Sequence, residues 1–253
     1  MQSLYTAASG LTSQQLRLDT IAANISNANT PGFKATRVDF KDALYHTMVD
    51  PEPSDAPADN LACGSGVLLD ATNIDMNQGA IEETGITLDF AIEGDGFFQV
   101  QDENGQILYT RSGSFTTTND GSGNYLVTPE GYYVLDADGN RLKLPESVTN
   151  LTVYENGVIR VDGQEYGALG VVGFANADGL APAGGTCYTE TVSSGPSLAD
   201  SGSKIVQGSL ERSNVDMSQE LTLLIRSQRA YALASRAVTT TDDMMGLANN
   251  LHG

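Results

Sequence analysis

Two histidines, His46 and His252, are the side chains best suited to proton transfer near neutral pH. His252 is next to last and His46 stands alone, so neither reads as a base. Serines are plentiful, but no Gly-x-Ser-x-Gly elbow presents one as a nucleophile. Asp136-Ala137-Asp138-Gly139-Asn140 echoes a calcium loop; its glycine comes too early and no bidentate Glu follows at the right place, so a hairpin turn is expected. Gly94-Asp95-Gly96 lacks the third glycine and the following helix of a phosphate-binding loop. Cys63 and Cys187 are far apart, with no Cys-x-x-Cys partner for zinc, and are read as free thiols; one bridge in an oxidising compartment is the alternative. The expectation is no enzyme, no cofactor and no metal.

The elements that would position a site point elsewhere. Residues 1–49 carry four basic and three acidic side chains and residues 204–253 carry five of each, so the formal charge of −19 falls almost wholly on residues 50–203. Such a surface is solvated and self-repelling, and it argues against nucleic acid, which wants a basic stripe. Near-neutral ends flank it.

The tail, Ser213 to Leu251, has no proline and one interior glycine, Gly246. Leu224, Tyr231, Val238 and Met245 form a strict seven-residue series, and Leu223, Ser227, Ala230, Ala234, Ala237, Thr241, Met244, Ala248 and Leu251 widen it into one helical stripe. Ser213 or Asn214 would cap the start, with Asp216 and Glu220 in the first turns. The rod would be ~55 Å long at ~1.5 Å per residue. It needs a partner. The N-terminus offers one: Leu4, Leu11, Leu18 and Ile25 are seven apart, with Ala7, Ala8, Ile21, Ala22 and Ala28 beside them. Before Thr30 its only charges are Arg17 and Asp19, and its outer face is Ser, Thr, Gln and Asn. Neutral polar groups cost less to bury than charges, which implies that this second face also meets protein in an assembly. Thr6, Ser9, Thr12, Ser13, Gln14 and Gln15 interrupt any signal-peptide core, and no apolar run reaches the ~18 residues of a membrane span.

Between the helices, Asp50–Asn60 is acidic and proline-rich and is expected to be an extended loop. From about Leu88 short β-branched and apolar runs alternate with the hairpin dipeptides Asn104-Gly105, Asp120-Gly121, Asp138-Gly139 and Asn156-Gly157. Antiparallel strands are expected at 97–101, 107–111, 115–118, 125–127, 132–135, 151–154, 158–161 and 168–174. Residues 181–203 read as loop. The fold class is therefore α+β, with long terminal helices pairing as a coiled coil around a central antiparallel all-β domain. The parts are 1–33 with 208–253 (helical assembly domain), 34–87 (connecting segment) and 88–207 (β domain).

Three stretches carry a family likeness. The run from Leu4 to Lys34 ends in NISNANTPGFK, with Asn24, Asn27, Thr30, Gly32 and Phe33; it resembles the N-terminal signature of the bacterial flagellar rod and hook family. The run from Gly208 (GSLERSNVDMSQELTLLIRSQRAYALASRAVTTTDDMM) is similar to that family's C-terminal signature through Ser213, Asn214, Val215, Gln228, Arg229, Ala230 and Tyr231. The central segment GDGFFQV, with Gly94, Gly96, Phe97 and Phe98, followed by YTRSGSF, completes the match. One departure is Ala232-Leu233, where the family usually has an acidic residue and then Asn or similar. The short middle domain and Gln228–Tyr231 are most like the distal-rod branch, with proximal rod proteins as close relatives.

The resemblance implies a structural subunit that polymerises through its terminal helices into a tubular drive shaft passing torque to the hook. It implies a helical homopolymer with rod and hook subunits as neighbours, surrounding basal-body rings, and export from the cytoplasm through the flagellar apparatus without a cleaved signal peptide. The residues expected to pack the helices are Leu4, Leu11, Leu18, Ile21, Ile25, Leu224, Tyr231, Val238, Met245 and Leu251. The alternatives are a proximal rod or hook-family subunit, or, in a different class, a ligand-binding β domain or enzyme on a coiled-coil stem.

Overall fold

The computed structural model describes residues 2–43, 45–47, 62–64, 66–121, 123–145, 151–199 and 202–250, without the side chains of 2–4, 45–47, 62–64, 248 and 249. The chain is α+β, with a helix near each end and mostly antiparallel strands between them. It divides into two compact units, residues 1–26, 36–74 and 216–253 in one and residues 27–35 and 75–215 in the other. The acidic loop Asp50–Asn60, together with Leu251 and His252, lies outside the described residues, as do the side chains of Leu4, His46 and Cys63.

In the first unit α1 (Gln2–Ser26) and α2 (Met217–Asn250) lie against each other. Beside them β1 (Thr36–Asp42) pairs antiparallel with β2 (Val67–Ile74), with a bulge at Asp39/Phe40. The register is tied to α1 by side chains. Asn24 Nδ2 donates to Thr36 O at 2.9 Å while Thr36 N donates to Asn24 Oδ1 at 3.0 Å, and Asn24 is buried. This reciprocal amide pair satisfies the first backbone groups of β1 without a neighbouring strand. Ser9 Oγ accepts from Val67 N at 3.3 Å at the start of β2.

The second unit holds β3 (Ile81–Glu83), β4 (Phe90–Glu93), β5 (Phe97–Gln101), β6 (Ile107–Thr110), β7 (Lys204–Gln207) and β8 (Ser209–Glu211). The main sheet runs, in spatial order, 143–144, 124–127, 133–134, β5, β6, 187–189 and 181–184. A smaller sheet joins 151–153, 158–161 and 164–168. Phe90, Ile92, Phe98, Val100, Leu126, Val134, Leu142 and Ile159 fill one core between them. The returning chain is stitched back by β7 on β4 and β8 on β3. The expected hairpin glycines adopt left-handed φ, with Gly105 at +86°, Gly121 at +87°, Gly139 at +79° and Gly157 at +83°, the conformation such turns need.

The structure differs from the sequence reading in residues 181–203. Ala181–Gly184 and Cys187–Thr189 form a hairpin that extends the main sheet beside β6. Its Gly, Pro and Ser content masked an edge pair, a place where proline is tolerated because one side of the strand has no partner to bond.

Candidate assembly surface

The helices were expected to carry the chemistry of self-association, and their polar groups show how a charge-poor face becomes buriable. In α1 the hydroxyls of Ser9, Thr12, Ser13 and Thr20 donate to carbonyls three or four residues back at 2.8–3.1 Å. In α2 Thr222, Thr239, Thr240 and Thr241 do the same at 2.7–2.9 Å. Each of these hydroxyl donors is satisfied inside its own helix, so covering these positions with protein leaves none of them stranded.

The stripe on α2 is only partly covered in the single chain. Glu220 and Ser227 are buried, and Leu223, Leu224, Ala230, Ala234, Val238, Thr241 and Met245 are half-buried. On α1 Ser13, Ile21 and Asn24 are buried, and Leu11, Leu18 and Ile25 are half-buried. Small residues at 227, 230 and 234 let a neighbouring backbone approach closely. Ala237 and Met244 (66% exposed), expected in the stripe, are exposed, as are Ala8 and Ala22 on α1, while Tyr231 is 37% exposed. One partner helix covers a seam of limited width. The rest of the apolar surface stays open: Met217, Leu221, Ile225, Leu233 and Leu247 are all exposed. Gln228 and Arg229 are exposed as well. Leu4 and Leu251, the outermost expected packing residues, fall outside the described side chains.

The cap of α2 is a correction. Neither Ser213 nor Asn214 closes the helix; Asp216 Oδ1 accepts from Ser218 N at 2.8 Å and Gln219 N at 3.2 Å. Asp216 combines an N-cap oxygen with a negative charge at the helix start. Asn214 instead belongs to the second unit. Its Oδ1 accepts from Ala35 N at 2.8 Å, and its Nδ2 donates to Asp75 O at 2.8 Å and Asn77 O at 3.1 Å. One amide thus ties together three separate segments of chain. Ser213 Oγ accepts from Val215 N at 3.4 Å.

The signature residues from Asn27 to Phe33 and from Gly94 to Phe98 lie in the second unit. Thr30 Oγ1 donates to Asn27 Oδ1 at 3.2 Å. Gly32 has φ +70°, and a Cβ there would run into the backbone of Arg111 and Ser112, so no other residue fits without displacing that backbone. Phe33 is half-buried. Gly94 adopts φ +126°, its carbonyl accepts from Arg111 Nη1 at 2.7 Å, and Gly96 N donates to Ser203 Oγ at 3.0 Å. Phe97 and Phe98 are fully buried, with the Arg111 guanidinium 4.7 Å above the Phe97 ring. A strand, not a helix, follows this glycine pair.

Sequence reasoning passed over a buried ion cluster in the same unit. Lys34 Nζ lies 2.6 Å from Glu211 Oε1, and Arg111 Nη1 lies 3.6 Å from Glu211 Oε2; the three side chains are at most 2% exposed. Lys34 Nζ also donates to Asn77 O at 2.7 Å, and Gly79 N donates to Glu211 Oε1 at 2.8 Å. Burial pulls the Lys34 ammonium below its ordinary pKa, against the opposing pull of Glu211. No spacing rule announces this cluster, because its members are brought together only by the strand order.

Asp136–Asn140 is a turn: Asp136 N donates to Asn140 O at 2.7 Å, and Asp136 Oδ1 accepts from Ala168 N at 3.2 Å. That carboxylate serves the backbone. Cys187 is unbridged and buried, and burial pushes its thiol up to about 11. Among the described residues no helix is long and apolar enough to cross a membrane.

Comparison with known proteins accounts for this pattern. Residues 4–34 match the family described as flagella basal body rod protein, residues 91–161 the flagellar hook protein FlgE/F/G D1 domain, and residues 206–251 the flagellar basal body rod FlgEFG protein C-terminal. The chain is 38% identical to the flagellar basal-body rod protein FlgG of Borreliella burgdorferi, over 99% of this chain and 98% of that protein. It is 36% identical to FlgG of Bacillus subtilis, over 99% of both. A second Bacillus subtilis relative, the flagellar hook-basal body complex protein FlhP, is 33% identical over 99% of both.

Proposed function

The chain belongs to the flagellar basal-body rod family, and we propose that it is the distal rod subunit, assembling through α1 and α2 into the shaft that carries torque to the hook. It is a structural subunit of the bacterial flagellar basal-body rod, and its place is the flagellar basal body. The observation that carries the finer reading is the state of the helices. A single chain leaves Leu221, Ile225, Leu233 and Leu247 exposed on α2, while the hydroxyls of Thr222, Thr239, Thr240 and Thr241 on the same helix are satisfied internally. Fully burying a Leu or Ile side chain contributes about 1.5–3 kcal/mol, so a few such positions per contact give a polymer a driving force after ordering costs.

On this reading the helices pair as a coiled coil and repeat heterologously, which propagates where a two-fold contact would close. The acidic β unit is carried as a solvated body. Neighbouring rod and hook subunits are its partners; the basal-body rings and the export apparatus follow from the same reading. A shaft subunit needs no catalytic group. Purified protein imaged after assembly tests it: straight tubes support the rod, curved tubes a hook subunit, and a closed dimer the alternative of a β domain on a stem.

A further inference from the structure

α2 places one carboxylate in an unfinished environment. Glu220 is 4% exposed, and its Oε2 has no hydrogen-bond donor among the described residues. A buried unmet acceptor of this kind is destabilising in the isolated chain. Glu220 lines a cavity of about 210 Å3 with Arg17, Ile21, Asn24, Arg37 and Asp39. That is far more than the ~10–15 Å3 needed for a single water. An adjoining cavity shares Arg17, Val38 and Asp39 and is lined by Gln14, whose Oε1 is a second buried acceptor without a donor. The charged walls are already engaged or open to water. Arg17 sits 5.7 Å over the Phe40 ring, Asp39 accepts from Asn73 Nδ2 at 2.6 Å, and Arg37 is exposed. Arg17 and Arg37 line this groove, yet Glu220 Oε2 receives no hydrogen bond from either.

The same helix carries donors that make no ion pair among the described residues. Arg226, Arg229 and Arg236 are exposed and, at steps of three and seven residues, share one face of α2. No acidic residue occurs between Leu221 and Thr241, so none has a carboxylate three or four residues away. Guanidinium has five N–H donors and no acceptor, which suits an orphaned carboxylate oxygen.

We propose that the Glu220–Gln14 groove of one copy receives the arginine face of α2 from a second copy. This rests on the self-assembly reading above and specifies its contact. A rigid helix cannot fold back on itself: the three arginines lie ~9, ~14 and ~24 Å along the axis from Glu220, at ~1.5 Å per residue. The donor is therefore another chain displaced along the helix direction. Each such contact leaves a free groove at one end and a free arginine face at the other, so it propagates without closing.

Two variants of the full chain test this. Glu220→Leu removes the orphaned carboxylate; the monomer is expected to melt higher, while the critical concentration for assembly rises about tenfold or more, the factor lost with one charge-assisted contact. A residue that merely supports the fold would move both readouts the same way. Replacing Arg226, Arg229 and Arg236 with Gln on the solvent face leaves the monomer intact and yields a chain that receives but does not donate. Added at a low ratio to wild type it should shorten the filaments, and mixed with the Glu220→Leu chain it should stop at a one-to-one complex. Assembly of either variant at the wild-type concentration, or no one-to-one complex in the mixture, overturns the contact. Wild type that never assembles overturns the self-assembly reading as well, so the two failures are told apart.

Discussion

Lys34 and Glu211, 177 residues apart, meet at 2.6 Å in a place neither side chain shares with water. One enters the β unit from the N-terminal side, the other returns to it before α2. Arg111, directly after β6 and between them in sequence, stands on the second carboxylate oxygen at 3.6 Å. Taking that anion away leaves the Lys34 ammonium buried without its nearest carboxylate. Glu211→Gln is expected to destabilise the β unit by about 3–5 kcal/mol. Replacing Lys34, Arg111 and Glu211 together with apolar residues of similar volume should restore most of it, because no charge remains to be desolvated. Urea unfolding followed by near-ultraviolet circular dichroism measures both; a triple variant no more stable than Glu211→Gln would contradict the account.

Gly32 and Gly105 both adopt left-handed φ, +70° and +86°, but only Gly32 faces backbone where a Cβ would go. Gly105→Ala should cost about 1–2 kcal/mol, the penalty of the left-handed region alone. Gly32→Ala adds a collision with the backbone at Arg111 and Ser112 and should cost at least about 2 kcal/mol more, within the range of strained sites. Equal melting temperatures for the two variants would show that the close approach carries no energy.

These two sites mark what the sequence made legible. The heptads Leu11, Leu18, Ile25 and Leu224, Val238, Met245 are read from one helix at a time, and the hairpin pairs from four neighbouring residues; local periodicity and turn chemistry are enough. The Lys34–Arg111–Glu211 cluster is set by strand order, which no local window contains. Asn214 illustrates the same limit from the other side: its type suggested a cap, and its position in the strand network gave it three segments to join instead. On α2 the periodicity does not give the width of the covered strip, since Met244 is inside the pattern and 66% exposed.

Cys187 supplies a pH signature. Its thiol is raised to about 11 from an ordinary 9.0, chiefly by burial. A folded-state pKa above the unfolded value contributes stability that is complete below pH 9 and is lost as pH rises through 11. The two-unit shift corresponds to about 3 kcal/mol at about 1.4 kcal/mol per unit. Stability of the β unit should therefore fall across that window, and Cys187→Ala should flatten this part of the fall. The same burial should make the thiol unreactive to a disulfide reagent until the chain unfolds; prompt labelling of Cys187 in native protein would be the contrary result.

Leu224 and Val238 lie half-buried on the α2 seam, fourteen residues apart in the same helical phase. Both belong to the first unit, while the β core around Phe90, Phe98 and Ile159 belongs to the second. Aspartate at either position puts an unpaired charge into the helix contact, a change that costs several kcal/mol if the contact is kept. The contact is not needed by the β core, so it is the contact that gives way. Leu224→Asp or Val238→Asp should abolish assembly, read by sedimentation, while the β-sheet circular dichroism and its cooperative melt persist. The α1 and α2 amides should then exchange hydrogen at least as fast as in the wild-type monomer, because helices that gain their order from neighbours have none to gain it from. Loss of the β-sheet melt in either variant would mean that the helices hold up the body they carry.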